Sequence, residues 1–350
     1  MVGGEFIFSP KIVFNKNYHQ FSDYGSKPIE YKRYYTFGAY YSLKAVIQNL
    51  KIQDSEYVLL PSYLCPTMII PFREAKVKYD FFKMKEGLLP DLEDIDKKTR
   101  QGLKAVLFID YFGFPQRDYL APLVERFRIK GIKTIQDTVQ SWMNNEVDLY
   151  ADFCMNSVRK YTPFEASVLF SKVPLNFRLK NKPIHKFLAH KRYAQLLRFY
   201  HIQTGLFKSE TFLNHIKISN QNYHHDYIIG MPKTNQWLLN RMDFETLGQQ
   251  RRTVFHELIT KISPRQILKD ISDKVIPLGL AVYLEERDKQ QQQLHGLDIH
   301  CPLHWRLSDE IDKKEHLYSW DLEKHILTLP INVEHHLLPE YVSKLKEVLF

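Results

Sequence analysis

Residues 104–137 read KAVLFIDYFGFPQRDYLAPLVERFRIKGIKTIQD, and their pattern decides the fold. Between its charged ends, Lys104 to Asp110 is a continuous apolar run, the pattern of a strand covered on both faces. From Tyr119 to Lys130, the residues Leu120, Leu123, Val124 and Phe127 recur at helical spacing. Gly131 follows, the residue type that closes a helix in a left-handed turn. Ile132 to Gln136 reads as the next strand. Strand, helix and strand in this rhythm predict parallel neighbours joined by a crossover helix. Ligands of such sheets bind beyond the carboxyl ends of the strands, so the residues just after each strand are the ones to weigh.

The same rhythm extends toward the N-terminus. Ser42 to Leu50 is expected to be helical, with Leu43, Val46, Ile47 and Leu50 on one face. Glu56 to Leu60 reads as a strand stopped by Pro61, Pro66 to Glu74 as a helix, and Val77 to Phe82 as a strand. Toward the C-terminus, Pro174 to Tyr227 is helical, basic and aromatic, either an amphipathic helix on a partner surface or a helix of the main body. From Asn240 onward a smaller unit is expected. It holds a long helix from Phe244 to Ile262 with Leu247, Arg251 and Phe255 at helical spacing, strand-like runs at Val275 to Leu284 and His325 to Leu329, and a terminal helix from Pro339 to Phe350. The implied architecture is α/β. A large domain (residues 1–240) carries a mostly parallel sheet between helices, and a smaller α+β domain (residues 241–350) follows.

The composition of the 350 residues, 44% hydrophobic and 25% charged, is that of a globular chain. The net charge of +9 favours anionic partners, but the basic residues are scattered rather than clustered in a phosphate-tracking run, which argues against a nucleic-acid role. Cys65, Cys154 and Cys301 are an odd, widely spaced set without metal-ligand spacing. They suit a reducing, cytoplasmic compartment, and no metal site is expected. The first residues lack the basic and apolar regions of a signal peptide, and no stretch reaches the ~18 apolar residues of a membrane span.

Three features stand where the sheet would present a ligand site. Asp137 follows a strand directly; by position it is either a helix N-cap or the counter-charge of a protonated ring nitrogen. Lys160 comes 23 residues later, at the end of the apolar stretch ADFCMNSV. A lysine held there can act as a nucleophile toward carbonyls, although a lone lysine is ordinarily a solvated surface residue. The segment Thr36-Phe37-Gly38-Ala39-Tyr40-Tyr41 precedes a helix start, where free backbone N–H groups bind anions. An anion site, a carboxylate and a lysine together are what pyridoxal 5'-phosphate needs: a seat for its phosphate, a partner for its ring nitrogen and a Schiff base for its aldehyde.

The segments GAYYSLKAVIQNL, VLLPSYLCPTMIIPFREAKVKYDFF, KAVLFIDYFGFP, IKTIQDTVQS, DFCMNSVRKYTP, WLLNRMDFETLGQQRR and HILTLPI, in this order and spacing, resemble the DegT/DnrJ-type sugar aminotransferases, fold-type I pyridoxal phosphate enzymes. The resemblance runs from about Thr36 to the C-terminus. It implies that Lys160 is the Schiff-base lysine, Asp137 the partner of the pyridine nitrogen, and Gln140 a hydrogen-bond partner of the ring oxygen. It implies phosphate contacts from Asn156 or Ser157 and from backbone at Gly38, Ala39, Tyr40 and Tyr41. Cys65 falls where many relatives set an aromatic ring on the cofactor face, a role that Tyr63 would have to take over. Many relatives carry a Gly-Gly pair after the lysine, where this chain has Phe164-Glu165-Ala166-Ser167. Arg159, His304 and Trp305 are substrate-binding candidates, each with a structural reading beside it, as an ion-paired arginine and a packed Trp beside a capping His. The activity implied is transfer of an amino group from an amino acid, glutamate by analogy, to a keto acceptor such as a nucleotide-linked keto-sugar, by a homodimer. The altered segment after Lys160 keeps open an atypical enzyme acting on a non-sugar substrate, or a binding subunit with little turnover.

Overall fold

The structure is a computed structural model that describes residues 2–4, 6–15, 30–144, 149–180, 184–262, 265–266, 268 and 275–349. Its main sheet is built from β1 (Lys32–Thr36), β2 (Tyr57–Pro61), β3 (Lys78–Phe82), β4 (Leu103–Ile109), β5 (Lys133–Asp137), β6 (Phe153–Met155) and β7 (Ser167–Ser171). The seven strands lie in the order β1-β7-β6-β5-β4-β2-β3. Only β7 is reversed, pairing antiparallel with both β1 and β6. The parallel strands therefore end together on one edge, where Asp137 stands level with Ile109 on one side and Met155 on the other. The central strands are buried along their length, which is why they read as unbroken apolar runs.

Helix α1 (Ala39–Leu50) begins three residues before the expected Ser42, because Gly38 ends the extended chain of β1 and serves as N-cap. Its apolar face, Leu43, Val46, Ile47 and Leu50, is buried against the sheet as its spacing requires. Each such side chain contributes about 1.5–3 kcal/mol. Pro61 does not stop β2; it is paired with Phe82 at the strand's last position. The expected helix from Pro66 to Glu74 is broken into a short 3-10 turn (Pro66–Met68) and a helix (Ile70–Glu74), with Pro71, which has no N–H to donate, at the start of the second piece. Helix α2 (Arg117–Ile129) buries Leu120, Leu123 and Phe127, and Gly131 takes the left-handed φ of 73°. Strands β1 and β7, which lack a long apolar run, were not anticipated from the sequence.

The basic, aromatic stretch folds as a helical hairpin, α3 (His185–Thr204) and α4 (Ser209–Asn220). It belongs to the main body: Arg192 and Gln195 of α3 donate to the Pro163 carbonyl at 3.0 and 2.8 Å, gripping the segment that follows Lys160. Beyond it come α5 (Phe244–Lys261), a three-stranded antiparallel sheet of β8 (Arg265–Gln266), β9 (Leu280–Tyr283) and β10 (Ile326–Leu329), α6 (Arg287–Gly296) and α7 (Leu338–Leu349). Their inner faces close an apolar cluster of their own around Phe255, Leu258, Val282, Leu327 and Leu345. The strand from Val275 is confined to β9, and Phe350 lies outside the described residues. Val2 and Gly3 pair in parallel with Ile299 and His300, tying the N-terminal end to this C-terminal unit. Among the described residues no helix is long and apolar enough to cross a membrane, and no three His, Cys, Asp or Glu side chains are grouped to hold a metal.

Candidate active site

At the carboxyl edge of the main sheet lies a cavity of about 340 Å³. Its floor is the end of the parallel strands: Ile109 from β4, Asp137 from β5, Met155 from β6, then Ser157, Arg159 and Lys160 from the turn after β6. Ala39 and Tyr40, the first two residues of α1, form one wall, so the positive end of a 12-residue helix meets the cavity.

Asp137 is only 5% exposed, and its Oδ1 accepts the Val139 N–H at 2.8 Å. Burial pushes its carboxyl up to about 7 and nearby Asp110 adds to the rise, while the Val139 N–H and the Lys160 charge oppose it. A carboxyl so placed has a use for a cation in the cavity. Gln140 is equally buried. Its Oε1 accepts the Phe112 N–H at 2.6 Å, whereas its Nε2 finds no hydrogen-bond partner among the described residues. Gln140 lines the cavity, so a donor stands ready for a ligand acceptor. Lys160 is half-buried and its Nζ lies 3.3 Å from Nε2 of His304. The Nδ1 of His304 is 2.8 Å from Thr328 Oγ1. Burial, then the Lys160 charge, hold His304 well below the usual imidazole range, so the ring is neutral at physiological pH.

The remaining expected site residues are sorted by the fold. Ala39, Tyr40, Cys65, Ser157, Arg159 and Trp305 line the cavity. Gly38 caps the helix, and a Cβ there would sit 2.3 Å from the Tyr223 hydroxyl. Tyr41 is buried behind the wall, its hydroxyl donating to the Tyr223 carbonyl. Asn156 does not line the cavity; its Oδ1 accepts the Val168 N–H at 2.7 Å across the sheet. Tyr63, the expected aromatic replacement for Cys65, is fully buried, and Trp305 packs between it and the cavity at a ring separation of 5.6 Å. The aromatic wall is thus Trp305. His304, its neighbour in sequence, contacts Lys160 and lines a second cavity of about 530 Å³. Arg159 lines both cavities; its Nε lies 3.9 Å from the Glu165 carboxylate and its guanidinium 5.4 Å from the Tyr223 ring.

Asn220, Tyr223 and His224 complete the wall. Asn220 ends α4 and Tyr223 and His224 follow it in a polar stretch, ISNQNYHHD, with no periodicity to single them out. Only the return of the hairpin across the mouth of the sheet brings them in.

No family model and no curated protein matches the sequence. Solved structures do match over nearly the whole chain. Spr1654 from Streptococcus pneumoniae, in its PMP form, superposes with a TM-score of 0.69 at 13% identity over 99% of this chain and 93% of its own. The sugar aminotransferase CalS13 from Micromonospora echinospora gives 0.67 at 12% identity over 99% and 100%. A DegT DnrJ EryC1 StrS aminotransferase from Brucella abortus gives 0.65 at 13% over 98% and 91%. The chain has the sugar-aminotransferase fold. This likeness spans both the main sheet and the C-terminal unit, so the cavity at the strand ends is set in a complete framework of that fold.

Proposed function

We propose that the chain is a pyridoxal phosphate-dependent aminotransferase of the DegT/DnrJ type. The observation that carries this reading is the convergence of Asp137, the unsatisfied Nε2 of Gln140 and Lys160 on one cavity at the start of α1. The fold-mates support it: Spr1654 is also solved in a PLP form.

The residues present fit the cofactor. Asp137 would pair with its ring nitrogen, Gln140 Nε2 would donate to its ring oxygen, Ser157 and the start of α1 would receive its phosphate, and Lys160 would anchor it. When bound, the cofactor supplies an electron sink that makes a carbon next to the amino nitrogen acidic. The Lys160 amine is placed to take and return that proton at its Nζ. Neutral His304 orients that amine from one side, with Thr328 fixing the imidazole from the other. Trp305 and Tyr223 give the chamber aromatic walls.

We extend the reading to an amino acid donor, glutamate by analogy with the resemblance, and a keto acceptor such as a nucleotide-linked keto-sugar. A homodimer and a reducing, cytoplasmic setting complete it, the latter supported by three free thiols. The test is direct. Purified protein incubated with pyridoxal phosphate should gain its visible absorbance band, and Lys160→Ala should fail to hold it after gel filtration. Protein that takes up no cofactor sinks the reading.

A further inference from the structure

The wall that Tyr223 and His224 give the smaller cavity is tied down by side chains outside it. Lys44 of α1 donates from its Nζ to the His225 carbonyl at 3.0 Å, and the same Nζ lies 2.8 Å from Oε2 of Glu74. Glu74 ends the helix Ile70–Glu74 and accepts the Tyr40 hydroxyl, which lies 2.7 Å from each of its two oxygens. Tyr40 lines the cavity, and its ring centre is 4.7 Å from that of His224 and 6.2 Å from that of Tyr223. Lys44 stands 5.3 Å from the centre of the same Tyr40 ring. On the buried side, the Tyr41 hydroxyl donates to the Tyr223 carbonyl. The returning segment therefore has a buried anchor at Tyr223 and an outer one at His225, and the outer one is centred on the Glu74 carboxylate.

The Lys44 and Glu74 side chains are 14% and 36% exposed. Burial alone would raise the Glu74 carboxyl, but the Lys44 and Tyr40 donors hold it below the usual carboxylate range, so it is ionised at neutral pH. A half-exposed ion pair contributes little by itself. Here one carboxylate accepts charge-assisted hydrogen bonds from a lysine and a tyrosine at once. Both donors also touch the returning segment, Lys44 through the His225 carbonyl and Tyr40 through the His224 ring. Three elements are thus ordered together, and loss of either charge releases the same joint.

We propose that Glu74 and Lys44 form a latch that closes the returning segment over the smaller chamber and sets how fast an unanchored cofactor escapes. While the amino group is carried on the cofactor, no covalent bond to Lys160 retains it, and the chamber walls alone do so. Neither Glu74 nor Lys44 lines the chamber, so both are positioning residues. The proposal rests on the aminotransferase reading for what the chamber holds, while the latch itself is open to test without cofactor.

The first measurement is limited chymotrypsin digestion of the full, cofactor-free chain, read at the bonds after Tyr223 and Tyr227, on either side of His225. Cleavage there should be on the order of tenfold faster in Glu74→Gln and in Lys44→Met than in the wild type, the scale of one charge-assisted hydrogen bond. The double variant should be cut no faster than the faster single, because the two residues act as one unit. The second measurement is release of pyridoxamine phosphate from the loaded proteins after dilution, followed by its fluorescence, which should quicken on the order of tenfold in the same variants. Unchanged cleavage in either single variant, rates that multiply in the double variant, or an equal rise at cleavage sites throughout the chain overturns the latch. Faster cleavage with unchanged release overturns its hold on the cofactor. Faster cleavage in a chain that takes up neither form of the cofactor leaves the latch standing and sinks only the aminotransferase reading.

Discussion

The two chambers that meet at Lys160 are made from different kinds of sequence. The smaller is floored by residues that follow one another closely along the chain: Ile109, then Asp137 to Gln140, then Met155 to Lys160. Each stands at the end of a buried strand, and the strands lie side by side in register. The larger is gathered from Gly3 and Gly4 at one end of the chain, Lys191 and Gln195 on α3, Arg251 on α5, and Thr328 to Asn332 near the other end. Strand order alone assembles the floor of the first, whereas the second exists only once four separate elements have docked. A site built on strand ends is rigid by construction, and one built between docked elements is where a chain can change its substrate without touching its chemistry.

The largest expected effect falls on the shared partition. Lys160→Ala should lower turnover by at least 10²–10⁴-fold, the usual range for loss of a proton-transfer group, together with the loss of the cofactor band already described. If the variant retains turnover, the two chambers do not share a reacting centre.

Next comes the floor of the smaller chamber. Asp137→Asn removes the counter-charge, and cofactor retention measured by dialysis should weaken on the order of 10²–10³-fold. The same residue gives a pH signature in cofactor-free protein. Its carboxyl is ordinarily near ~4 in an unfolded chain, but about 7 in the fold. The folded state therefore holds the proton more tightly than the unfolded state. The stability this contributes is full below the unfolded value and is lost as pH rises from about 4 toward about 7. Buried, neutral His304 acts in the opposite sense, favouring the fold as pH rises past its unfolded value. The difference in melting temperature between wild type and Asp137→Asn across this window isolates the Asp137 part. A difference that stays flat with pH would show that the carboxyl is not raised.

Gly38→Ala should act on the smaller chamber. The added Cβ would stand 2.3 Å from the Tyr223 hydroxyl, so the helix start or the tyrosine must move. Overpacking of this kind costs about 1–3 kcal/mol. It should appear as a lower melting temperature and weaker cofactor retention. Unchanged retention would mean that the helix start yields without disturbing the chamber.

The smallest effect is expected from His304→Gln. One hydrogen bond to the Lys160 amine is at stake, worth about 0.5–1.5 kcal/mol, so kcat should fall several-fold. His304 touches the lysine and lies outside the smaller chamber, so cofactor affinity should hold. A rise in KM with kcat intact would make His304 a substrate contact and not a positioning residue.

The difference between the chambers also explains what could be read in advance. Asp137 and Lys160 were legible because each lies a short distance past an apolar run, and Gln140 was legible only through the family resemblance. Arg251 was visible as an arginine on the apolar stripe of a helix, but nothing in that stripe said that a cavity lay against it. Tyr63 looked like the aromatic partner for the cavity because it is close to Cys65 in sequence. The C-terminal unit supplied Trp305 instead and put Tyr63 behind it. Asn156 was expected near a phosphate, but a β-ladder partner, Val168, takes its side chain.

By itself, the sequence determined the α/β architecture, the central parallel strands, the helix whose face is Leu43, Val46, Ile47 and Leu50, and the positions of Asp137 and Lys160 past buried apolar runs. These follow from the period of apolar residues and from turn chemistry, which act over a few residues and leave a local trace. The tertiary structure alone decided the reversed β7, the grip of α3 on Pro163, the place of Trp305 in the wall and the larger chamber beyond Lys160. Each of those depends on which surfaces meet when distant elements pack, and packing selects shape and charge without imposing any spacing along the chain.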